Sequence, residues 1–114
     1  MNINKITEQI LTHKDGITLD FEGNIPELKG FAVSVTNNTP RIDIEEIKGD
    51  IIKLIELSNT LEIKAYIGSW IDGDNKTFVD LTLNVQDKTQ AENIGRMFKQ
   101  QAIFNFDTFE VISL

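Results

Sequence analysis

The segment from Leu61 to Val85 constrains the fold more than any other stretch. It reads LEIKAYIGSWI, then DGDNK, then TFVDLTLNV. Leu61, Ile63, Ala65, Ile67, Ser69 and Ile71 alternate with Glu62, Lys64, Tyr66, Gly68 and Trp70. Beyond DGDNK, Val79, Leu81, Leu83 and Val85 alternate with Phe78, Asp80, Thr82 and Asn84. Successive side chains of a strand point to opposite faces, so this period of two describes two half-buried strands. The intervening residues tolerate turn conformations. The segment is therefore expected to form an antiparallel hairpin with one apolar face and one mixed face.

The flanking sequence supplies partners. Ile3, Ile6, Ile10 and Leu11 give a weak helical pattern that stops near Gly16. Ile17, Leu19 and Phe21 alternate as a strand, as do Phe31, Val33 and Val35, with Pro26 in the loop between them. Asp43 and Glu46 have capping-box spacing. Ile44, Ile47, Ile51, Leu54 and Ile55 then form an apolar helical stripe that ends near Ser58-Asn59, with Ile52 and Leu57 broadening it. Asp87 opens a further helix whose stripe is Ala91, Ile94 and Phe98, and Gly95 lets that helix approach a sheet closely. Ala102 to Phe106 alternates as a last strand, and Phe109 to Leu114 packs down as a tail or short strand.

Read together, Phe31 to Ile71 runs strand, helix, strand, and Phe78 to Phe106 repeats that order. The expected fold is a single α+β domain over residues 1–114. Its sheet is mixed or antiparallel, with two helices on one face. The order β-α-β-β-α-β is a ferredoxin-like split βαβ with an added N-terminal strand. Parallel pairing within each crossover would make the sheet mixed. An α+β meander without that strand order is the alternative.

Composition narrows the function classes. A chain of 114 residues has length enough for one core without staples. It has no cysteine, which excludes disulfides and thiolate metal sites. The net charge is −7 and the eleven basic residues are scattered, which disfavours direct nucleic-acid binding. MNINKITEQI lacks the apolar core of a signal peptide, and no run approaches the roughly 18 apolar residues of a membrane span. A cytoplasmic protein with no membrane attachment is expected.

The face opposite the helices carries Tyr66, Gly68, Trp70, Phe78, Asp80, Thr82 and Asn84 of the hairpin, together with Asp20, Ser34, Ile103 and Asn105. Tyr66, Trp70, Phe78, Asp80 and Asn105 are the candidate ligand- or partner-binding residues. The aromatic groups offer stacking surface, and Tyr66 and Trp70 add a polar tip. They equally suit cross-strand packing within the hairpin. A nucleobase platform has this layout too, but Glu62, Asp80 and the acidic total repel phosphate.

Asp72-Gly73-Asp74-Asn75 invites a calcium reading, but Lys76 and Thr77 break the loop pattern, leaving a solvated turn. His13, the only histidine, has no local catalytic partner. No phosphate loop, nucleophile elbow or H-x-x-x-H pair occurs. No catalytic residue, metal or cofactor is expected.

The C-terminal half, YIGSWID and then FVDLTLNVQDKTQAENIGRMFKQQAIFNFDTFEVI, resembles small proteins of bacteriophages and mobile elements. The matching residues are Trp70, Asp80, Ala91, Gly95, Gln101, Ala102, Ile103, Phe104, Phe109 and Ile112. Lys99-Gln100 and Asn105 depart from the pattern. The resemblance covers about the last 50 residues and implies a phage or prophage origin, but no activity. The expectation is a small non-enzymatic accessory protein acting through protein contacts, with a foreign partner or a second copy, and able to inhibit a host protein by its acidity. The alternative is a small-ligand or nucleotide-binding module that uses the open sheet face.

Overall fold

Each helix begins where a side-chain oxygen can take up backbone N–H groups that the helix leaves unpaired. The computed structural model describes residues 1–114. Asn2 accepts the Lys5 N–H at 3.1 Å and opens α1, Ile3–Thr12. Asp43 accepts from Glu45 at 2.7 Å and opens α2, Ile44–Leu61. Asp87 accepts from Gln90 at 2.9 Å and opens α3, Lys88–Met97. Glu46 does not close the expected capping box. Its carboxylate pairs with Arg41 at 2.8 Å instead.

The strands are β1, Ile17–Leu19; β2, Phe31–Ser34; β3, Tyr66–Ile71; β4, Thr77–Val85; β5, Ala102–Asn105; and β6, Glu110–Ser113. The segment Phe109–Leu114 forms an edge strand paired with β5, but it does not pack down as expected: Phe109 and Val111 point into solvent, 79% and 71% exposed. The central hairpin is where the alternation put it from Tyr66 onward, with Ile67 opposite Leu81 and Ser69 opposite Val79. Before Tyr66 the expectation fails. α2 continues through Ser58-Asn59 to Leu61, and Glu62 ends it in a left-handed conformation. Ile63 lies in the connection and is 37% exposed. Leu54, Ile55 and Ser58 are buried and prolong the helical stripe. Over these residues the helical period wins against the strand period.

The six strands form one sheet in the order β1-β3-β4-β2-β5-β6, and every neighbouring pair is antiparallel. A mixed sheet is therefore not formed. The two strands joined through α2 run the same way, but β4 lies between them. The two joined through α3 are separated by β2 in the same manner.

Three helices, not two, pack on the sheet. Ile6 and Ile10 of α1 share an eleven-residue core with Ile47, Ile51, Leu54 and Ile55 of α2 and with Leu19, Ile67, Val79 and Leu81 of the sheet. A second cluster joins Ala91 of α3 to Phe31, Val33 and Ile103. Gly95 makes this approach possible, as expected. A methyl group there would stand 3.2 Å from Ile103 Cγ2 and 2.5 Å from Leu114 Cδ1. No helix is long and apolar enough to cross a membrane.

Candidate functional site

Because the helices lie on one side, the other face of the sheet is left for solvent or a partner. The register sets out what it presents. Trp70 is opposite Phe78, Gly68 opposite Asp80, and Tyr66 opposite Thr82. Thr18 of β1 lies beside Gly68. On the far side of β4, Ser34 sits beside Thr82 and Ala32 beside Asn84, and Phe104 follows next to Ala32.

Loops raise walls around this floor. β1 and β2 are separated by β3 and β4, so their connection must cross the ends of those strands. It is fastened there by the Lys29 carbonyl, which accepts from Asn84 Nδ2 at 2.6 Å and Gln86 Nε2 at 3.1 Å. At the opposite end, Gln100 Nε2 donates to the Thr36 carbonyl at 3.0 Å and Asn37 Nδ2 donates to the Phe98 carbonyl at 3.0 Å. Phe104, Phe106, Phe109 and Val111 close a third side. The result is an open trough of about 1530 Å³ across the uncovered face.

Three of the five candidate residues meet in this trough. Trp70 and Phe78 stack with ring centroids 4.4 Å apart and planes within 4°. Such a pair contributes about 0.5–1.5 kcal/mol beyond burial, so the structural role expected for it is present. Trp70 nevertheless stays 48% exposed. Gly16, just before Ile17, which faces Ser69, brings no side chain to this side of the hairpin.

Asp80 is half-buried. Thr36 Oγ1 donates to its Oδ1 at 2.9 Å, and the Asn38 N–H approaches the same oxygen at 3.5 Å. Oδ2 receives no hydrogen bond, and none of the chain's ion pairs involves this carboxylate. Burial pushes the Asp80 carboxyl above its ordinary range, against the Thr36 and Asn38 hydrogen bonds, which pull it down.

The other two candidates are placed differently. Tyr66 is only 9% exposed, at the sheet end that the β1–β2 connection crosses, so it offers no stacking platform. Asn105 is opposite Phe31, which puts it on the helix-covered side by register. Its Oδ1 accepts the Asp107 and Thr108 N–H groups at 2.8 and 3.3 Å and so builds the β5–β6 turn. Ile103, also expected on the open face, is 2% exposed in the α3 core. β5 is apolar at almost every position, so alternation left its phase undetermined, and a one-residue slip exchanges the faces. The residues this concealed are Phe104 and Phe106. The small pair Ala91 and Gly95 on α3 was the available signal, since Ile103 fills the space over them. Asp20 caps a turn, accepting from Glu22 and Asn24 at 2.9 Å each.

The remaining polar motifs have local work. Asp72 Oδ1 accepts the Asp74 and Lys76 N–H groups, each at 2.9 Å, so its oxygen serves the hairpin turn. His13 Nδ1 lies 2.9 Å from the Gln9 carbonyl, an arrangement that requires the proton on Nδ1. No group of three or more His, Asp or Glu side chains is arranged to hold a metal ion. Thr82 Oγ1 and Ser69 Oγ are buried without a hydrogen-bond partner.

The arrangement as a whole offers stacking, apolar contact and one uncompensated carboxylate. Asp15, Glu27, Lys29 and Lys99 are the other charged groups around it. Comparison with protein-family models, curated proteins and solved structures finds no match for this chain.

Proposed function

We propose that this chain is a small non-enzymatic accessory protein of phage type, acting in the bacterial cytoplasm through contacts with a basic protein partner. The uncovered sheet face is the contact surface. The observation that carries this reading is the shape of the trough. Ligand pockets that enclose a metabolite hold about 300–1,000 Å³ and bury most of their guest. This trough exceeds that volume at about 1530 Å³ and is only partly enclosed. Trp70, Phe109, Val111 and Ile25 stand exposed around it. Exposed apolar groups beside polar walls suit a protein interface. The net charge of −7 favours a basic partner, including a nucleic-acid-binding site on a host protein. The strand order supports a ferredoxin-like split βαβ for β2, α2, β3, β4, α3 and β5, with α1, β1 and β6 added.

The small-ligand or nucleotide reading rests on Trp70 and Phe78. One face of each ring is already taken by the other, and Asp80 repels phosphate, so this reading ranks second.

The test is quantitative capture from host lysate by the wild type, by a Phe104→Ser/Phe109→Ser variant and by an Ile52→Ser/Leu57→Ser variant altered on α2. A basic protein lost only with the first variant, and released by salt, supports the proposal. Retention by both variants, or loss only with the α2 variant, refutes it.

A further inference from the structure

The sheet ends differently on its two sides. β1 is three residues long and turns at once into a loop, where the Asp20 N–H donates to the Asn24 carbonyl at 3.0 Å. So short an edge strand offers little to pair with. β6 is Glu-Val-Ile-Ser, with no proline, lysine or bulge to guard it. Its inner hydrogen bonds go to β5, beginning with the Leu114 N–H, which donates to the Gln101 carbonyl at 2.9 Å. Bonded pairs alternate along an antiparallel ladder, so Ile112 and Glu110 also bond inward. The N–H and C=O groups of Val111 and Ser113 therefore point outward from the last strand of the sheet. α3 lies over β2, β4 and β5, inboard of this edge.

Such a row is a template for another strand. Val111 and Ser113 stand symmetrically about Ile112, so the row is its own complement under a two-fold axis perpendicular to the sheet. We infer that β6 pairs antiparallel with β6 of a second copy, with Ile112 facing Ile112 across the axis. Val111 of each copy then exchanges both its hydrogen bonds with Ser113 of the other. Ile112, half-buried opposite Ile103 on the helix side, covers its counterpart. The two open faces lie on the same side of one continuous sheet.

Charge and backbone select this register. Glu110 is the strand's only charged residue. At about 3.4 Å per residue, the two Glu110 Cα atoms stand about 14 Å apart, beyond a screening length of about 8 Å at physiological salt. An axis through Val111 would bring them to about 8 Å. It would also draw Phe109 into the ladder, but Phe109 is left-handed and its N–H already donates to Asn105. So few residues a side fall below the roughly 1,200 Å² of a stable interface, and the association is weak and concentration-dependent. The net charge of −7 on each copy makes it stronger as salt rises, the reverse of a contact with a basic protein.

The chain has no cysteine, so a single introduced thiol reports the register. Opposed residues of a non-hydrogen-bonded pair have Cα atoms about 4.5 Å apart, within disulfide reach. Ile112→Cys, oxidised by copper–phenanthroline in air, should form a linked dimer at least about tenfold faster than Val111→Cys, whose Cα atoms stand about 8 Å apart. Sedimentation velocity from micromolar to millimolar concentration should show the wild-type mass rising from 12.9 kDa toward twice that value. Ser113→Pro removes an outward N–H and leaves the bonds to β5, a change that an edge strand accepts. It should raise the dimer dissociation constant at least about tenfold, the scale of two backbone hydrogen bonds, with an unchanged circular dichroism spectrum. If that spectrum changes, the thiol rates decide alone.

A 12.9 kDa species at every concentration, a dimer that Ser113→Pro leaves intact, or equal thiol rates overturns the inference. A monomeric wild type whose capture of a lysate protein is lost in Ser113→Pro overturns it too, and gives the edge to a strand of that protein. The open-face reading fails separately, through the Phe104→Ser/Phe109→Ser variant.

Discussion

Gly68 is held to glycine by its neighbour on the opposite strand. A Cβ built there would collide with Thr82 Oγ1. Thr82 is 3% exposed and β-branched, so its side chain cannot turn aside freely. Gly68→Ala gains about 0.5–1 kcal/mol by restricting the unfolded chain, and overpacking costs about 1–3 kcal/mol. The net expectation is a loss of up to about 2.5 kcal/mol. Thr82→Ala should be close to neutral. It removes a buried hydroxyl with no partner, a gain of about 1 kcal/mol or more, and a buried methyl group of about 0.8 kcal/mol. In the Thr82→Ala background the collision is gone, so Gly68→Ala should become stabilising. Urea unfolding of the four proteins measures the coupling, expected at about 1–3 kcal/mol. Additive single effects, or a stabilised Gly68→Ala in the wild-type background, would refute the packing argument.

Gly49 provides the contrast, because nothing lies within 4 Å of a methyl group built there inside α2. Gly49→Ala should stabilise by about 1 kcal/mol and raise the melting temperature by about 4 °C. Asp43→Ala should cost about 1 kcal/mol in urea unfolding, through loss of the α2 cap. Burial raises the Asp80 carboxyl above its usual 3.8, so the folded state holds this proton more tightly than the unfolded state. Its effect on stability is therefore adverse, growing as pH rises from 3.8 through the raised value and absent below that window. Urea midpoints should show Asp80→Asn equal to wild type at the acid end and more stable at neutral pH. Arg41→Gln removes the cation beside the buried Asp50 and should lower the urea midpoint.

Much of the architecture was legible because two periods dominate the sequence. Ile67, Val79 and Leu81 could face only one way once Asp80 and Asn84 faced the other, and the sheet follows from them. Asp43 and Asp87 announced their helices by chemistry specific to a cap. Legibility ended where a stretch satisfied both periods, as from Leu61 to Ala65, or neither, as from Ala102 to Phe106. In the first case a buried helical stripe through Ser58 decided the outcome. In the second, Ile103 went to the small surface of α3 and sent Phe104 outward. At the site, Trp70, Phe78 and Asp80 were readable because they belong to the well-phased hairpin. Tyr66 was misjudged because a connection passing from β1 to β2 is a property of strand order, and no local pattern encodes it. The phase of β5 hid Phe104 and Phe106, and the apolar run from Phe109 gave no sign that its first residue would stay exposed.

The position of β2 also bears on how the chain comes together during synthesis. Both of its neighbours, β4 and β5, belong to the second half of the chain. As the polypeptide leaves the ribosome, Phe31 and Val33 emerge long before anything can pair with them. They wait through the whole of α2 and the hairpin. Such a topology defers its central ladder to a late step and lengthens the time during which an unpaired strand is exposed to chaperones.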